Sequence, residues 1–318
     1  MSTLAVIILT YNEGRHLERC LRQLKGVASE VFVIDSFSTD DTAEIARTHG
    51  AVVLQHAFVN YAKQFQWALE HAPIGADWIM RLDADEIIEK DLANQIIQEL
   101  PRLSREVVGI NLKRKHIFMN RWIRHGGRYP LILLRIWRRD HGRIEDRWMD
   151  EHMVVWGGRT VTFEGGFADF NLNDLTFFIE KHNRYATREA VDVLNQRLQF
   201  MPQDEALYSQ ESSRQAVLKR MIKQQVYNKL PFQLSAFGYF LYRYFLQLGF
   251  LDGREGLIYH VLQGFWYRFL VGAKIEELSR GIAGVTGCRQ IASKLSELTG
   301  LKLVQEASLC ENEEQLSH

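Results

Sequence analysis

Leu4-Ala-Val-Ile-Ile-Leu-Thr-Tyr-Asn-Glu13 runs through six apolar residues and then turns polar at once. A short, continuous apolar run with β-branched residues is the pattern of a strand buried on both faces, as in a parallel sheet. Working outward, Leu17, Cys20, Leu21 and Leu24 recur at helical spacing, and Val31–Ile34 gives a second strand that ends at Asp35. Ser38 followed by Asp41 has the form of a helix start. Val52–Leu54 is read as a third strand, Tyr61–His71 as a helix, and Trp78–Leu82 as a fourth strand ending at Asp83. Lys90–Leu100 follows as a helix with Leu92, Ile96 and Leu100 on one face, then Val107–Leu112 as a further strand. This alternation predicts an α/β domain with a mostly parallel sheet flanked by helices.

Farther on, Leu131–Trp137 and Met153–Trp156 read as strands, and Leu175–Leu198 as a long amphipathic helix. A polar stretch around Met201–Ser213, with Pro202 inside it, suggests a boundary between a catalytic domain over 1–210 and a helical C-terminal region over 211–318. That region is crowded with aromatic and aliphatic side chains over Phe232–Leu251 and Leu257–Gly272. Arg243 and Arg268 interrupt the two runs, and Arg214, Lys219, Arg220, Lys223 and Lys229 precede them. Spanning helices need about 20 predominantly apolar residues, so interrupted runs beside basic residues suit a membrane interface better. Trp266, Tyr267 and Phe269 are the side chains expected at headgroup depth. The competing expectation is a pair of helices packed in a protein core.

The bulk composition narrows the function classes. With 318 residues, 46% hydrophobic and 25% charged, the chain has ordinary globular proportions, and a formal net charge of zero gives no support to a nucleic-acid binder. Charge is nevertheless uneven: from Arg102 to Arg147 there are 13 Lys/Arg against 4 Asp/Glu. A basic region of that kind suits phosphates or anionic lipids. Cys20, Cys288 and Cys310 are far apart, which fits a reducing cytosol rather than a disulfide framework. No basic stretch precedes Leu4–Leu9, so the run reads as a strand and not as a signal peptide. The expected location is cytoplasmic, peripheral on the inner face of the inner membrane.

In an open parallel sheet, ligands bind at the carboxyl ends of the strands. Polar clusters fall there three times: Thr10-Tyr11-Asn12-Glu13, Asp35-Ser36 and Asp83-Ala84-Asp85-Glu86. The first cluster lacks a Gly-x-Gly-x-x-Gly loop, which argues against a dinucleotide cofactor. An Asp-x-Asp is common in surface loops, but one placed directly after a buried strand offers two hard carboxylates on one side. Such ligands suit Mg²⁺ or Mn²⁺, which completes its shell with substrate phosphate and water. A transfer reaction also needs a general base, and Glu151, ahead of Asp150, is the candidate in Trp148-Met-Asp-Glu-His152. His152 is a candidate second metal ligand, while Arg135, Arg138 and Arg139 are candidates for an acceptor phosphate.

Taken in order, Leu4-Ala-Val-Ile-Ile-Leu-Thr-Tyr-Asn-Glu13, Val33-Ile-Asp-Ser-Phe-Ser-Thr-Asp-Asp-Thr42 and Arg81-Leu-Asp-Ala-Asp-Glu86 resemble the three successive signatures of family 2 glycosyltransferases. The resemblance spans roughly residues 1–200 and is most similar to bacterial enzymes of lipopolysaccharide-core and exopolysaccharide assembly. Lys181-His-Asn-Arg-Tyr-Ala-Thr-Arg-Glu189 and Leu248-Gly-Phe-Leu-Asp-Gly-Arg-Glu-Gly256 support that narrower placement. It implies a glycosyltransferase A-type domain and an inverting transfer from a nucleotide-diphosphate sugar, with UDP expected, to a lipid-linked or glycan acceptor. It implies that Thr10, Tyr11 and Glu13 line the nucleotide pocket and that Asp35 lies near uracil and ribose. Ser36 stands where many members carry a second Asp. Lys63 and Gln66 fall where donor-contacting residues are expected, Asp85 is the implied metal ligand, and Asp83 lies beside the ribose or the metal's water. The resemblance also places the acidic base in the Asp150–Glu151 stretch. Two other classes stay open: a sugar-nucleotide-forming nucleotidyltransferase and a non-catalytic membrane-associated assembly partner. The first usually has a Gly-rich loop with a Lys after the first strand, which Asn12-Glu13-Gly14-Arg15 does not supply.

Overall fold

A computed structural model describes residues 3–145, 152–201 and 231–304. They divide into two compact units. The first holds the described residues up to Glu145, those from His152 to Asn173, and Gln247–Leu257; the second holds those of Asp174–Leu246 and from Ile258 onward. The change of unit thus falls at Asn173–Asp174, and the boundary expected at 210/211 lies outside the described residues.

The first unit begins with β1 (Leu4–Thr10), α1 (Gly14–Leu24), β2 (Glu30–Asp35), α2 (Thr42–Thr48), β3 (Val52–Gln55), α3 (Tyr61–His71) and β4 (Trp78–Asp83). It continues through β5 (Glu86–Ile88), α4 (Lys90–Glu99), β6 (Val107–Phe118), β7 (Arg121–Ile123), β8 (Leu131–Arg138), β9 (Gly142–Ile144), β10 (Met153–Val155) and β11 (Arg159–Phe170). The main sheet runs β3-β2-β1-β4-β8-β6-β11-β5, with β7 attached to β6. β3, β2, β1 and β4 are mutually parallel, as the helical crossovers between them require. β8 then enters antiparallel between β4 and β6, while β6 and β11 are parallel.

The opening run is apolar throughout because it is covered on both faces. Leu4, Val6 and Ile8 pack with Leu17, Cys20, Leu21 and Leu24 of α1, whereas Ala5 and Ile7 pack with Ala62, Phe65 and Ala68 of α3. Each such Leu or Ile contributes about 1.5–3 kcal/mol on burial. β11 is a central strand that the hydrophobic pattern does not disclose. Its first half carries exposed Arg159, Thr160 and Glu164, and Gly165-Gly166 interrupts it at a register shift. The glycines have a packing reason: a Cβ on Gly165 would lie 2.6 Å from the Leu92 backbone, and one on Gly166 would lie 2.7 Å from the Lys113 carbonyl oxygen.

The second unit contains α5 (Leu175–Leu198), capped by the Asp174 side chain, which accepts from Phe177 N at 2.9 Å. It also holds α6 (Phe232–Leu241), which continues into a π-helical turn, α8 (Tyr267–Gly281) and α9 (Cys288–Thr299); α7 (Gly253–Tyr259) begins in the first unit. Ala190, Val191 and Leu194 of α5 pack with Leu278 of α8 and with Ala292 and Leu295 of α9. No described helix is long and apolar enough to cross a membrane. Tyr267 is buried with Ala186 and Val271, and its hydroxyl donates to Glu189 Oε2 at 2.6 Å. Trp266 packs against the same cluster. The expectation of insertion at headgroup depth is therefore corrected for Tyr267, which belongs to a protein core, while Trp266 is half-buried against that core and Phe269 is exposed.

Candidate active site

The β1–β2 register pairs Thr10 with Asp35, and the β1–β4 register pairs Leu9 with Asp83. Three residues distant in sequence thus stand at the carboxyl ends of adjacent parallel strands. Thr10 Oγ1 donates to Asp35 Oδ1 at 3.1 Å. Asp35 is fully buried and also accepts from Ser38 N (3.0 Å), Ser38 Oγ (2.5 Å) and Gln55 Nε2 (3.4 Å). Its carboxylate therefore organises the strand end, with both oxygens already engaged. Asn12 takes a left-handed conformation, φ 54°, and its amide oxygen accepts from Thr39 N at 2.8 Å. Glu13 N donates to Thr42 Oγ1 at 2.8 Å and Gly14 N to Asp40 Oδ2 at 3.1 Å, which stitches the β1 loop to the β2 loop. Burial raises the Asp40 carboxyl, but hydrogen bonds from Thr42 and Gly14 outweigh it and hold the group below its ordinary value. Tyr11 stands 60% exposed above this edge.

A buried histidine closes the back of the loop. Leu172 N donates to His16 Nε2 at 2.9 Å, so that nitrogen is an acceptor, and Nδ1 carries the proton that meets Glu13 Oε2 at 2.6 Å. Glu13 is thereby fixed toward the scaffold, and the β1 loop is tied to the segment after β11.

Asp83 is held from four sides. Tyr61 donates its hydroxyl to Asp83 Oδ1 at 2.5 Å and itself accepts from Arg81 Nε at 3.1 Å. The Arg81 guanidinium lies 4.2 Å from the Tyr61 ring centre. Asp83 N donates to Glu86 Oε2 at 2.9 Å, and Arg135 Nη2 donates to Glu86 Oε1 at 2.7 Å while lying 3.9 Å from Asp83 Oδ2. Glu86 and Arg135 are 1% and 4% exposed. Burial pushes the Glu86 carboxyl up to about 8, Arg135 opposes the rise, and Asp83 adds to it. Burial likewise raises the Tyr61 phenol well above its ordinary value, which keeps it a neutral donor. Asp85 sits one step outward, where Asn171 Nδ2 donates to its Oδ2 at 2.8 Å and Phe170 N donates to its carbonyl at 3.0 Å.

Among the described residues no group of three or more His, Cys, Asp or Glu gathers as a complete cation cage. One or two carboxylates at an open strand end fit a hard divalent ion that takes its other ligands from substrate phosphate and water. Asp83 and Asp85 meet that description.

Several expected assignments change. Arg135 is not available to an acceptor phosphate, because it is buried in its pair with Glu86 beneath the Phe167 ring. Arg138 pairs in register with Trp78, at the start of β4, about 16 Å along the strand from Asp83. It donates to the carbonyls of Val107 and Ser104, and Arg139 donates to the carbonyl of Ile74. Gln66 binds Glu70 at 2.9 Å on its own helix and lies beside Ile79 and Arg139, away from the carboxyl edge. Gln64, not Gln66, faces the strand ends: its amide donates to Ser36 Oγ at 3.1 Å. Lys63 N completes the α3 cap on Asn60 Oδ1 at 2.7 Å. His152 is exposed and lies 3.6 Å from Glu145, which gives it a partner other than a metal. Asp150 and Glu151 lie outside the described residues. Sequence reading assigned no role to Tyr61, Gln64 or Asn171, and Arg81 and Glu86 were read only as parts of a motif; the spacing Gln64, Phe65, Ala68 on one face of α3 is the signal that finds Gln64.

This sheet, with its acidic pair beyond the fourth strand, is that of a glycosyltransferase A-type domain. Residues 5–169, more than half of the 318-residue chain, match the profile of glycosyl transferase family 2. The chain belongs to that family. An uncharacterised glycosyltransferase of Rickettsia prowazekii is 34% identical over 96 residues, covering 30% of this chain and 32% of the relative. A counterpart in Rickettsia felis is 38% identical over 96 residues, covering 30% and 33%. The glycosyltransferase SunS of the Bacillus subtilis SPbeta prophage is 31% identical over 98 residues, covering 30% and 22%. The chain thus spans about a third or less of the length of these relatives. Glucosyl-3-phosphoglycerate synthase from Mycobacterium tuberculosis, solved with Mn²⁺, UDP and glucosyl-3-phosphoglycerate, overlaps 36% of this chain and 44% of its own at 20% identity and a TM-score of 0.31. An overlap of that extent defines neither substrate nor metal here.

Proposed function

We propose that the protein transfers a sugar, with inversion, from a nucleotide-diphosphate donor to a lipid-linked or lipopolysaccharide/exopolysaccharide acceptor. UDP is the nucleotide, and the reaction takes place at the cytoplasmic face of a membrane. The observation that carries this reading is the side-by-side placement of Thr10, Asp35 and Asp83 at the ends of three adjacent parallel strands, with Asp85 just beyond. Tyr11 is exposed for stacking on a base, and Ser36, whose hydroxyl accepts from the Gln64 amide of α3, stands at the neighbouring strand end. Asp83 is oriented by Tyr61 and the Glu86–Arg135 pair, toward ribose or the water of a bound cation. Asp85, with Asp83, would hold Mg²⁺ or Mn²⁺, whose charge when bound stabilises the departing diphosphate. Glu151, or failing it Asp150, accepts the proton of the attacking acceptor hydroxyl.

The test is a screen of nucleotide sugars for divalent-metal-dependent hydrolysis, followed by donor binding and transfer for Glu151→Gln and Asp150→Asn. The reading expects release of a nucleoside diphosphate, with donor affinity within a few-fold of wild type and transfer lost in one of the two variants. Release of pyrophosphate from a nucleoside triphosphate would identify a nucleotidyltransferase instead.

A further inference from the structure

The β6–β7 hairpin and the Gln247–Leu257 segment, both in the first unit, form one surface, and none of the residues assigned above to the donor site lies on it. Met119 and Asn120 turn the hairpin with φ of 50° and 62°, and place Arg121 and Arg124 at exposed positions. The Arg124 guanidinium lies 5.3 Å from the Trp122 ring centre, and the Lys115 ammonium lies 4.9 Å from the same centre. Two contacts join the segments. His125 donates from Nδ1 and from its backbone N to the two oxygens of buried Asp252, at 2.7 and 2.8 Å, and Gly126 N donates to the Gln247 carbonyl at 2.8 Å. Arg121 lies over Gly253, with its guanidinium 3.5 Å from the position a Cβ would take.

The outward side is apolar and basic together. Met119, Leu248, Phe250 (44%) and Leu251 (50%) are exposed, as are Arg121, Arg124 and Arg254. Arg121 and Arg124 have no ion-pair partner among the described residues. Asp252 is consumed by His125, which leaves half-buried Glu255 as the other carboxylate of the Gln247–Leu257 segment against exposed Arg121, Arg124 and Arg254. The neighbouring sequence has the same bias: from Ser212 to Leu251 there is no Asp or Glu, against six Lys/Arg at 214, 219, 220, 223, 229 and 243. A ridge of Phe and Leu beside arginines matches a phase with hydrocarbon below and phosphate above. Guanidinium groups suit phosphate oxygens better than a neutral apolar protein face would suit them.

We propose that this surface docks on an anionic phospholipid membrane, with Met119, Leu248, Phe250 and Leu251 below the headgroups and Arg121, Arg124 and Arg254 on lipid phosphates. It deepens the membrane attachment in the proposed function by naming the face and the lipid charge, and it holds whichever sugar is transferred.

The experiment is flotation of the full chain with phosphatidylcholine vesicles, with and without phosphatidylglycerol. Wild type is expected to float with the anionic vesicles only and to be released by salt. A cation at such a surface is worth about fivefold in partitioning, so Arg121→Glu with Arg124→Glu lowers binding ~25-fold or more. Phe250→Ser with Leu251→Ser likewise lowers binding to the anionic vesicles, although it leaves every arginine in place. Nucleoside diphosphate binding by both double variants should equal wild type, which shows that they fold and keeps this test separate from that of the donor site. The proposal is overturned if wild type ignores anionic vesicles, or if the variants float as well as wild type, which would move the contact to another surface such as Phe232–Leu246. It is also overturned if the substitutions convert a dimer to a monomer, since a second copy would then be the occupant.

Discussion

Tyr61 is the residue through which α3 reaches the site. Its hydroxyl gives Asp83 a short, charge-assisted hydrogen bond in a place where the phenol is itself buried. Such bonds are worth about 1.5–3 kcal/mol. Tyr61→Phe keeps the ring against Arg81 and Phe65 but leaves Asp83 free to turn toward Arg81 or Arg135. We expect metal-dependent nucleotide binding to weaken ~10-fold or more while the melting temperature falls by only a few degrees, read by calorimetry and thermal unfolding. Equal affinity in the variant would show that Asp83 needs no such support. Sequence reading found Asp83 and Asp85 because strand-end carboxylates follow from a run's length and its sudden polarity. It could not find Tyr61, whose contact with Asp83 depends on where α3 lies against β4. It misassigned Arg135 for a related reason: on a strand of alternating burial, an arginine looks exposed until its buried partner, Glu86, is known.

At the scale of elements, β11 is the piece the pattern hid and the sheet most depends on. It joins β6 to β5, and its end carries Asp169, which meets His116 Nδ1 at 3.0 Å. Gly165→Ala would drive a methyl into the Leu92 backbone. Overpacking of this kind costs about 1–3 kcal/mol, and urea unfolding should show a lower midpoint with activity retained below it. The β6–β11 pair also carries a pH signature. Burial lowers the pKa of His116 from its ordinary 6.5, and Asp169 opposes the shift. A depressed histidine favours the neutral ring in the folded state, so its contribution is present above pH 6.5 and is lost as pH falls through the lower folded value. Wild-type stability should therefore decline on acidification below 6.5, and His116→Gln should decline less. Identical pH profiles would remove His116 from that role. The parallel strands β2, β1 and β4 were legible because strands covered on both faces carry a short, nearly continuous apolar run that turns polar at its end. Beyond β8 the strands face polar loops or close glycine contacts, and hydrophobic period no longer reports pairing.

For the molecule as a whole, the sequence conveyed the class of the first unit and the order of its three motifs, and the family profile over residues 5–169 agrees. The second unit was read by composition alone, which cannot distinguish an aromatic ring at an interface from one in a core. Tyr267 proves to be core, with Trp266 half-buried against it, whereas Leu248 and Phe250, in the first unit, are exposed. The central claim is that Asp85 anchors a divalent cation that couples the strand-end site to the donor diphosphate. It is tested most directly by calorimetric titration of UDP, with and without Mn²⁺, into wild type and Asp85→Ala. The account predicts that Mn²⁺ strengthens UDP binding to wild type by an order of magnitude or more and leaves Asp85→Ala unaffected, with both proteins melting alike. A Mn²⁺ effect of equal size in Asp85→Ala would contradict it.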